Sequence, residues 1–152
     1  MPTVRYLEDL SVGERLTTRS MEVTEADAIG FADVYDPQPM HNDRKAAARG
    51  PFGGLIASGW HTTAMVMRLI VDASPLGGAP VLGLGVDHIR WPNPLRPGDT
   101  IHAEIEVMSI TPSLSKPDFG VVHIKVTAVN QKNEPVLIMN PNLWVPRRPA
   151  RP

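Results

Sequence analysis

The 152-residue chain carries 15 Lys and Arg against 16 Asp and Glu, and hydrophobic residues make up 42% of it. These values are typical of a soluble globular protein, so we exclude intrinsic disorder and expect a single domain over residues 1–152. The mixed charges build no broad positive surface, and we expect no nucleic-acid binding. The chain contains no cysteine, which excludes disulfides, thiolate nucleophiles and cysteine-ligated metal sites.

The first residues do not resemble a targeting segment, and the longest apolar stretch contains polar residues. Glu8 and Asp9 come too early for a secretory signal. The stretch from Gly54 to Val71 contains Ser58 and Arg68, which a membrane span would place in hydrocarbon at high cost. We therefore expect a buried helix there, no membrane partner and a cytoplasmic protein. Residues 147–152 are basic and proline-rich, which predicts a flexible tail.

The first half of the chain predicts one strand followed by helical segments. Leu16 to Val23 contains β-branched residues in a loose alternation, which favours a strand. The Thr24 hydroxyl can accept from the backbone N–H three residues on, so we expect a helix to begin there. Asn42 or Asp43 is expected to cap a short helix over residues 46–48.

A longer helix is predicted from Ser58 or Gly59 to about Ala73. Because it is apolar nearly all round, we expect other structure to wrap it. The second half alternates apolar and polar residues in strands joined by short connections, which indicates an antiparallel sheet. The pattern predicts an α+β fold in which this sheet wraps one central helix. The predicted strands are 81–90, 100–110, 120–129 and 135–145.

The segment from residue 36 to residue 43 holds the densest cluster of chemically able side chains. Pro37 ends the first helix, and together with Pro39 it predicts a stiff extended loop over 36–40 without regular structure. Asp36 and His41 are five residues apart on this loop and can face one small molecule, with little entropy lost in positioning them. Such residues also occur in turns and in packing, so the octapeptide alone leaves a structural role open.

Three motifs in chain order resemble the MaoC-type hydratase family, which has a hot-dog fold. The first is Asp36-x-x-Pro39-x-His41. The second is Phe52-Gly53-Gly54-Leu55-Ile56-Ala57-Ser58-Gly59 before the central helix, and the third is Pro97-Gly98-Asp99 before a late strand. Two departures stand in the first motif, where Gln38 replaces the family's Asn and Pro37 is an additional proline. They affect the expected substrate range more than the expected fold.

The resemblance implies a lyase of fatty acid metabolism that reversibly hydrates 2-enoyl-CoA thioesters. Asp36 and His41 would be the acid–base pair, with the choice of base left open, and a backbone N–H at Gly59 would meet the oxyanion. This chemistry needs no metal, nicotinamide or flavin, so we expect no cofactor, with CoA present only as part of the acyl-CoA substrate. The remaining candidates for substrate contact are Gln38, Pro39, Phe52, Gly53, Gly54, Ser58 and His61.

Several alternatives remain open at this point. The chain could be a catalytically silent hot-dog subunit that binds acyl thioesters, or an acyl-CoA thioesterase. His61 could pack at the helix start instead of contacting substrate. We interpret the glycines of Gly83-Leu84-Gly85 as positions of close packing in the sheet. A sheet around one helix leaves an open edge, which favours pairing with another chain. The resemblance likewise implies a homodimer or a higher even oligomer.

Overall fold

The computed structural model describes residues 3–150 and contains a six-stranded antiparallel sheet and four helices within them. The strand order is β1-β4-β5-β6-β3, with β2 paired to β4 beside β1. A short 3-10 turn precedes β1. The elements are the turn Leu7–Asp9, β1 Arg15–Thr17, β2 Met21–Glu22, α1 Glu25–Tyr35, α2 Pro39–Asn42, α3 Arg44–Arg49, α4 Gly59–Ala73, β3 Leu82–Arg90, β4 Thr100–Pro112, β5 Phe119–Val129 and β6 Pro135–Pro146.

The three central strands bury one face of the sheet against α4. In β4 the buried side chains alternate with half-buried polar ones, and β5 repeats the pattern in the antiparallel register that places His102 opposite Val129. Met65, Val66 and Leu69 of α4 complete the core on this face. The predicted α+β arrangement of a sheet around one long helix is therefore confirmed. All four strands predicted in the second half are present to within two residues at each end.

Helix α4 begins and ends where the sequence predicts, but other structure covers only one of its sides. Ser58 is the N-cap, and its hydroxyl accepts from the backbone N–H of Trp60 at 3.3 Å. The expectation that the helix is wrapped all round is wrong, because Trp60, Met67 and Val71 are exposed. The sheet reaches one side of α4, and the opposite side faces solvent in the single chain.

The strand predicted over residues 16–23 is divided into β1 and β2 by the side chain of Thr18. Its hydroxyl accepts from the backbone N–H of Ala103 and donates to the carbonyl of Arg19. The hydroxyl thus replaces a backbone group of the ladder, and the chain leaves β4 before it pairs again at Met21.

The helices of the first half follow their predicted caps, with one correction. Thr24 accepts from the N–H of Asp27, and Asp43 accepts from two N–H groups of α3, so the cap is Asp43 and not Asn42. The predicted loop without regular structure over 36–40 is wrong at its end, because Pro39 begins the short helix α2. Proline suits this first helical position, since its missing N–H would have no helical partner there.

One further expectation differs from the structure, and the flexible tail over 147–152 stays a prediction. Arg147 and Arg148, predicted to belong to a flexible tail, bind the acidic turn near the N-terminus through Glu8 and Asp9. The predicted tail also includes Arg151 and Pro152, which lie outside the described residues. The glycines at 83 and 85 are not close-packed, because an added Cβ at either one would meet no atom within 4 Å.

Strand β3 is an edge of the sheet and is largely exposed along its length. It pairs with β6 on one side only, with irregular register at two points. No helix among residues 3–150 is long and apolar enough to cross a membrane.

The contact between α4 and the sheet gives a direct test of the core. Leu69 is fully buried in this contact, and replacing it with Ala should lower the free energy of unfolding by about 2–5 kcal/mol because a cavity remains. Leu114 is fully exposed, so Leu114→Ala is the matched control and should change stability by less than about 0.5 kcal/mol. Urea denaturation measures both, and equal effects would contradict this packing.

Candidate active site

Asp36 lies at the C-terminal end of α1, where the chain turns away before the prolines. Its backbone N–H still donates to the carbonyl of Ala32, which fixes its position relative to the helix. The Gln38 side chain donates to Asp36 Oδ1 at 2.6 Å. This hydrogen bond, and then the Ser58 hydroxyl, hold the pKa of Asp36 below its ordinary value, so the group is a carboxylate at neutral pH.

His41 is positioned by the segment that leads into α4. The side chain is only 5% exposed, and its Nδ1 lies 2.8 Å from the carbonyl oxygen of Ile56. The Ile56 N–H donates to the carbonyl of Met40, so two hydrogen bonds join α2 to this segment. Because a carbonyl oxygen only accepts, Nδ1 carries a proton, and the lone pair of the neutral imidazole is on Nε2.

The two predicted catalytic side chains face each other. Nε2 of His41 is 3.4 Å from Oδ2 of Asp36, and both side chains are mostly buried. When the imidazole is neutral, these two atoms are both acceptors. A water molecule that lies beside both atoms and donates one hydrogen bond to each can satisfy them, so the pair can hold and deprotonate one water.

The first turn of α4 lies beside this pair. Ser58 is completely buried, and the backbone N–H of Ala57 is held by the carbonyl of Leu95 at 2.7 Å. Gly59 is the first helical residue, and by helix geometry its N–H has no partner within the helix. This N–H and the helix dipole can therefore meet a developing negative charge.

Gly59 also has a packing requirement that the sequence does not show. A Cβ built on Gly59 would lie 2.7 Å from Cδ2 and from Cε2 of Trp91, closer than real carbon contacts. The Trp91 ring thus rests against the first turn of α4. The role predicted for Gly59 was a backbone N–H that meets the oxyanion, and contact with the Trp91 ring is sufficient by itself to require a glycine at this position.

A cavity of about 290 Å³ joins several of these groups. His41 and Gly59 are on its wall with Phe52, Thr62 and Trp91. Asp36 is not on the wall and reaches the cavity only through its contact with His41. The sequence did not indicate Trp91 or Thr62, because neither belongs to a motif.

The other predicted substrate contacts fall into two groups. Gln38 and Ser58 act on Asp36, as described above. Pro39, Gly53, Gly54 and His61 are not on the wall of the His41 cavity. Pro39 begins α2, and Gly53 lies in an exposed turn with a positive φ of 68°, a conformation that favours glycine. Gly54 faces the Arg96 side chain on a separate surface pocket.

His61 packs against the protein and not against the cavity. Its ring stacks on Phe31 with centroids 4.9 Å apart, and burial lowers the pKa of the imidazole. The packing alternative raised from the sequence is the one that this contact supports. Among residues 3–150, no group of three or more His, Asp or Glu side chains is arranged to hold a metal ion.

Comparison with known proteins identifies the family. Residues 9–130 match the model of the MaoC like domain. The chain belongs to this family. It is 32% identical over 110 residues to the 3-hydroxybutyryl-CoA dehydratase of Methylorubrum extorquens, covering 72% of this chain and 68% of that protein. It is 30% identical to the uncharacterized protein YdeM of Bacillus subtilis, covering 83% of this chain and 88% of that one.

Solved structures show that this MaoC-like chain has the hot-dog fold. The MaoC-like dehydratase from Rhodospirillum rubrum is 43% identical with a TM-score of 0.87, and the match covers 95% of this chain and 99% of that one. The R-hydratase PhaJ1 from Pseudomonas aeruginosa is 26% identical with a TM-score of 0.78, covering 95% and 88%. The predicted family and fold are both confirmed.

The contact between Gly59 and Trp91 can be tested by adding one methyl group. Gly59→Ala should displace the Trp91 ring, since an indole pressed to 2.7 Å must move. The near-ultraviolet circular dichroism spectrum should change while the far-ultraviolet spectrum is preserved. Gly83→Ala is the matched control and should leave both spectra unchanged, because its Cβ meets no atom. An unchanged near-ultraviolet spectrum in Gly59→Ala would show that the ring does not rest there.

Proposed function

We propose that this MaoC-like protein catalyses the reversible hydration of 2-enoyl-CoA to 3-hydroxyacyl-CoA. The observation that carries the proposal is the approach of His41 Nε2 to Asp36 Oδ2 at 3.4 Å, with Nδ1 held by a buried carbonyl. A carboxylate next to a buried imidazole whose Nδ1 proton is fixed is the arrangement that an acid–base pair needs. The names of the 3-hydroxybutyryl-CoA dehydratase and of the R-hydratase support the same reaction class.

The proposed chemistry uses only groups of this chain and one water molecule. The water would donate hydrogen bonds to Asp36 and His41, lose one proton to the pair, and form a C–O bond at C3 of the enoyl group. The C2=C3 π bond would break in this step, and its electron pair would move toward the thioester oxygen. A proton returned by the pair would form the C–H bond at C2, so no net proton is gained or lost. The negative charge that builds on the thioester oxygen would be met by the Gly59 N–H.

The reaction as proposed requires no cofactor, because neither oxidation nor reduction occurs and water is activated by the pair. The substrate in this proposal is an acyl-CoA, and the proposed compartment is the cytoplasm. The proposed function and its two rivals give three different results with crotonyl-CoA. Hydration removes the absorbance of the conjugated enoyl group, a thioesterase releases a free thiol, and a silent subunit does neither.

We also propose that the protein is a homodimer. Leu82, Leu84 and Val86 on the edge strand β3 are each about half exposed, and Met67 and Val71 extend the apolar surface onto α4. An exposed, apolar edge strand is unusual in a monomer, since it is open to pairing with another chain. A second copy that pairs along β3 would cover it.

The acid–base role predicts a specific kinetic result for Asp36→Asn and His41→Gln. Each change keeps the size of the side chain but removes proton exchange at neutral pH, so kcat should fall by about 10²–10⁴-fold. KM should change less than kcat. Because the two residues act on one water, the double variant should be far less than additively worse than either single variant. Steady-state kinetics with crotonyl-CoA measure all three variants.

Asp118→Asn and His102→Gln are the matched controls for these substitutions. Neither residue is on the wall of the His41 cavity, so turnover should be normal. The melting temperatures of the Asp36 and His41 variants should stay near that of the wild type. This control is needed because loss of folding would also lower turnover. A folded single variant with near-normal turnover would remove the pair from the mechanism.

The dimer can be tested by placing a charge on the edge strand. Static light scattering at micromolar concentration should give twice the chain mass for the wild type. Leu84→Lys should shift the protein toward the monomer, because Leu84 is 55% exposed in the single chain and would be buried on pairing. Leu114→Lys, at a fully exposed site away from β3, is the control and should remain dimeric. A monomeric wild type would contradict the proposal.

A further inference from the structure

A second and larger cavity lies next to the His41 cavity, between α4 and the edge strand. Its volume is about 490 Å³, within the range of small-molecule sites. The wall is mostly apolar, which suits an alkyl chain and not a charged group. The wall includes Trp60, Thr63 and Met67 of α4. It also includes Gly83 and Gly85 of β3, and Val81, the residue before this strand.

The cavity exists because two positions of β3 have no side chain. Gly83 and Gly85 both lie on its wall, and a Cβ added to either would meet no atom within 4 Å. Larger residues at these positions would extend into the space toward α4. The glycines therefore keep an apolar space open beside the first turns of the central helix.

Two tryptophan rings separate this space from the His41 cavity. Trp91 lies on the wall of the His41 cavity and Trp60 on the wall of the larger one, and the two cavities share no wall residue. The rings touch edge to face, with centroids 5.2 Å apart and an interplanar angle of 75°. Thr62 lies on the wall of the His41 cavity, whereas the next residue, Thr63, lies on the wall of the larger cavity.

A chain of hydrogen bonds holds the Trp91 ring in place. Its Nε1 donates to the Thr63 hydroxyl at 3.2 Å, and that hydroxyl donates to the carbonyl of Gly59 at 3.0 Å. The ring is thus fixed to the same first turn of α4 that offers the Gly59 N–H. It remains 39% exposed, so it is supported from one side only.

We propose that Trp91 is a specificity-determining residue that restricts the acyl group to short chains by closing the way into the apolar cavity. The inference rests on the proposed function, because it takes the ligand to be an acyl-CoA whose carbonyl meets the Gly59 N–H. From that point a short acyl tail ends within the His41 cavity. A longer tail meets the indole ring and can enter the apolar cavity only when the ring moves aside.

The binding of saturated thioesters tests this closure without any catalytic step. Butyryl-CoA and decanoyl-CoA have no double bond to hydrate, so isothermal titration calorimetry reads affinity alone. The wild type should bind decanoyl-CoA no more tightly than butyryl-CoA. In Trp91→Ala each methylene that enters the apolar cavity should tighten binding by about fourfold. The ratio of the decanoyl to the butyryl dissociation constant should therefore fall at least about tenfold.

Three further variants separate closure by the ring from other effects of the substitution. Trp91→Phe keeps an aromatic ring, and its ratio should stay within about threefold of the wild type. Adding Gly85→Val to Trp91→Ala refills the cavity and should abolish the gain in decanoyl-CoA affinity. Trp144→Ala removes a tryptophan that stacks on Phe119 away from both cavities, and its ratio should equal that of the wild type.

The outcomes distinguish the closure from the proposed reaction. The closure is wrong if the wild type already gains affinity with each methylene, or if Trp91→Ala leaves the ratio unchanged. Failure to hydrate crotonyl-CoA, together with the expected binding ratios, would overturn the hydratase proposal and keep the closure. Hydration of crotonyl-CoA with an unchanged ratio in Trp91→Ala would overturn the closure and keep the hydratase proposal. Failure of both thioesters to bind the wild type and Trp91→Ala would overturn both proposals.

Discussion

The hydrogen bond between His41 Nδ1 and the carbonyl of Ile56 is the contact on which the candidate site depends. It joins α2 to the segment that leads into α4, and the return bond from Ile56 to Met40 makes the junction rigid. Because the carbonyl accepts and never donates, it fixes the proton on Nδ1 and leaves Nε2 facing Asp36. Without this bond the imidazole could rotate or change tautomer, and the lone pair that the proposed reaction needs would not be held in place.

Features set by nearby residues were predictable from the sequence. The caps at Thr24 and Ser58 depend on one hydroxyl and the next few N–H groups, so helices α1 and α4 begin as expected. The strands of the second half follow from simple alternation, and the motif of Asp36 and His41 indicated the pair that the structure brings together. Pro39 shows the limit of local signals, because proline occurs both in extended loops and at the first position of a helix.

Features set by distant residues were not predictable. Trp91 belongs to no motif. Its contact with Gly59 exists only because Trp91 follows β3 directly and lies beside the first turn of α4. Gly83 and Gly85 were interpreted as close-packed, yet whether a sheet glycine packs tightly or lines a space depends on how far away the next element lies. Arg147 binds Glu8, 139 positions earlier in the chain, which composition at the C-terminus could not reveal.

The open side of α4, the exposed edge strand and the glycine-lined cavity occupy one region of the molecule, and one arrangement explains them together. Fully burying an apolar side chain such as Leu84 is worth roughly 1.5–3 kcal/mol, and about half of that side chain is still exposed in the single chain. Pairing along β3 in the proposed dimer would recover this energy from several residues at once. The same pairing would cover β3 and Met67, which form part of the cavity wall, and would shield an acyl tail from water. Assembly and acyl binding would then stabilise each other, since a ligand that favours the paired state strengthens the pairing.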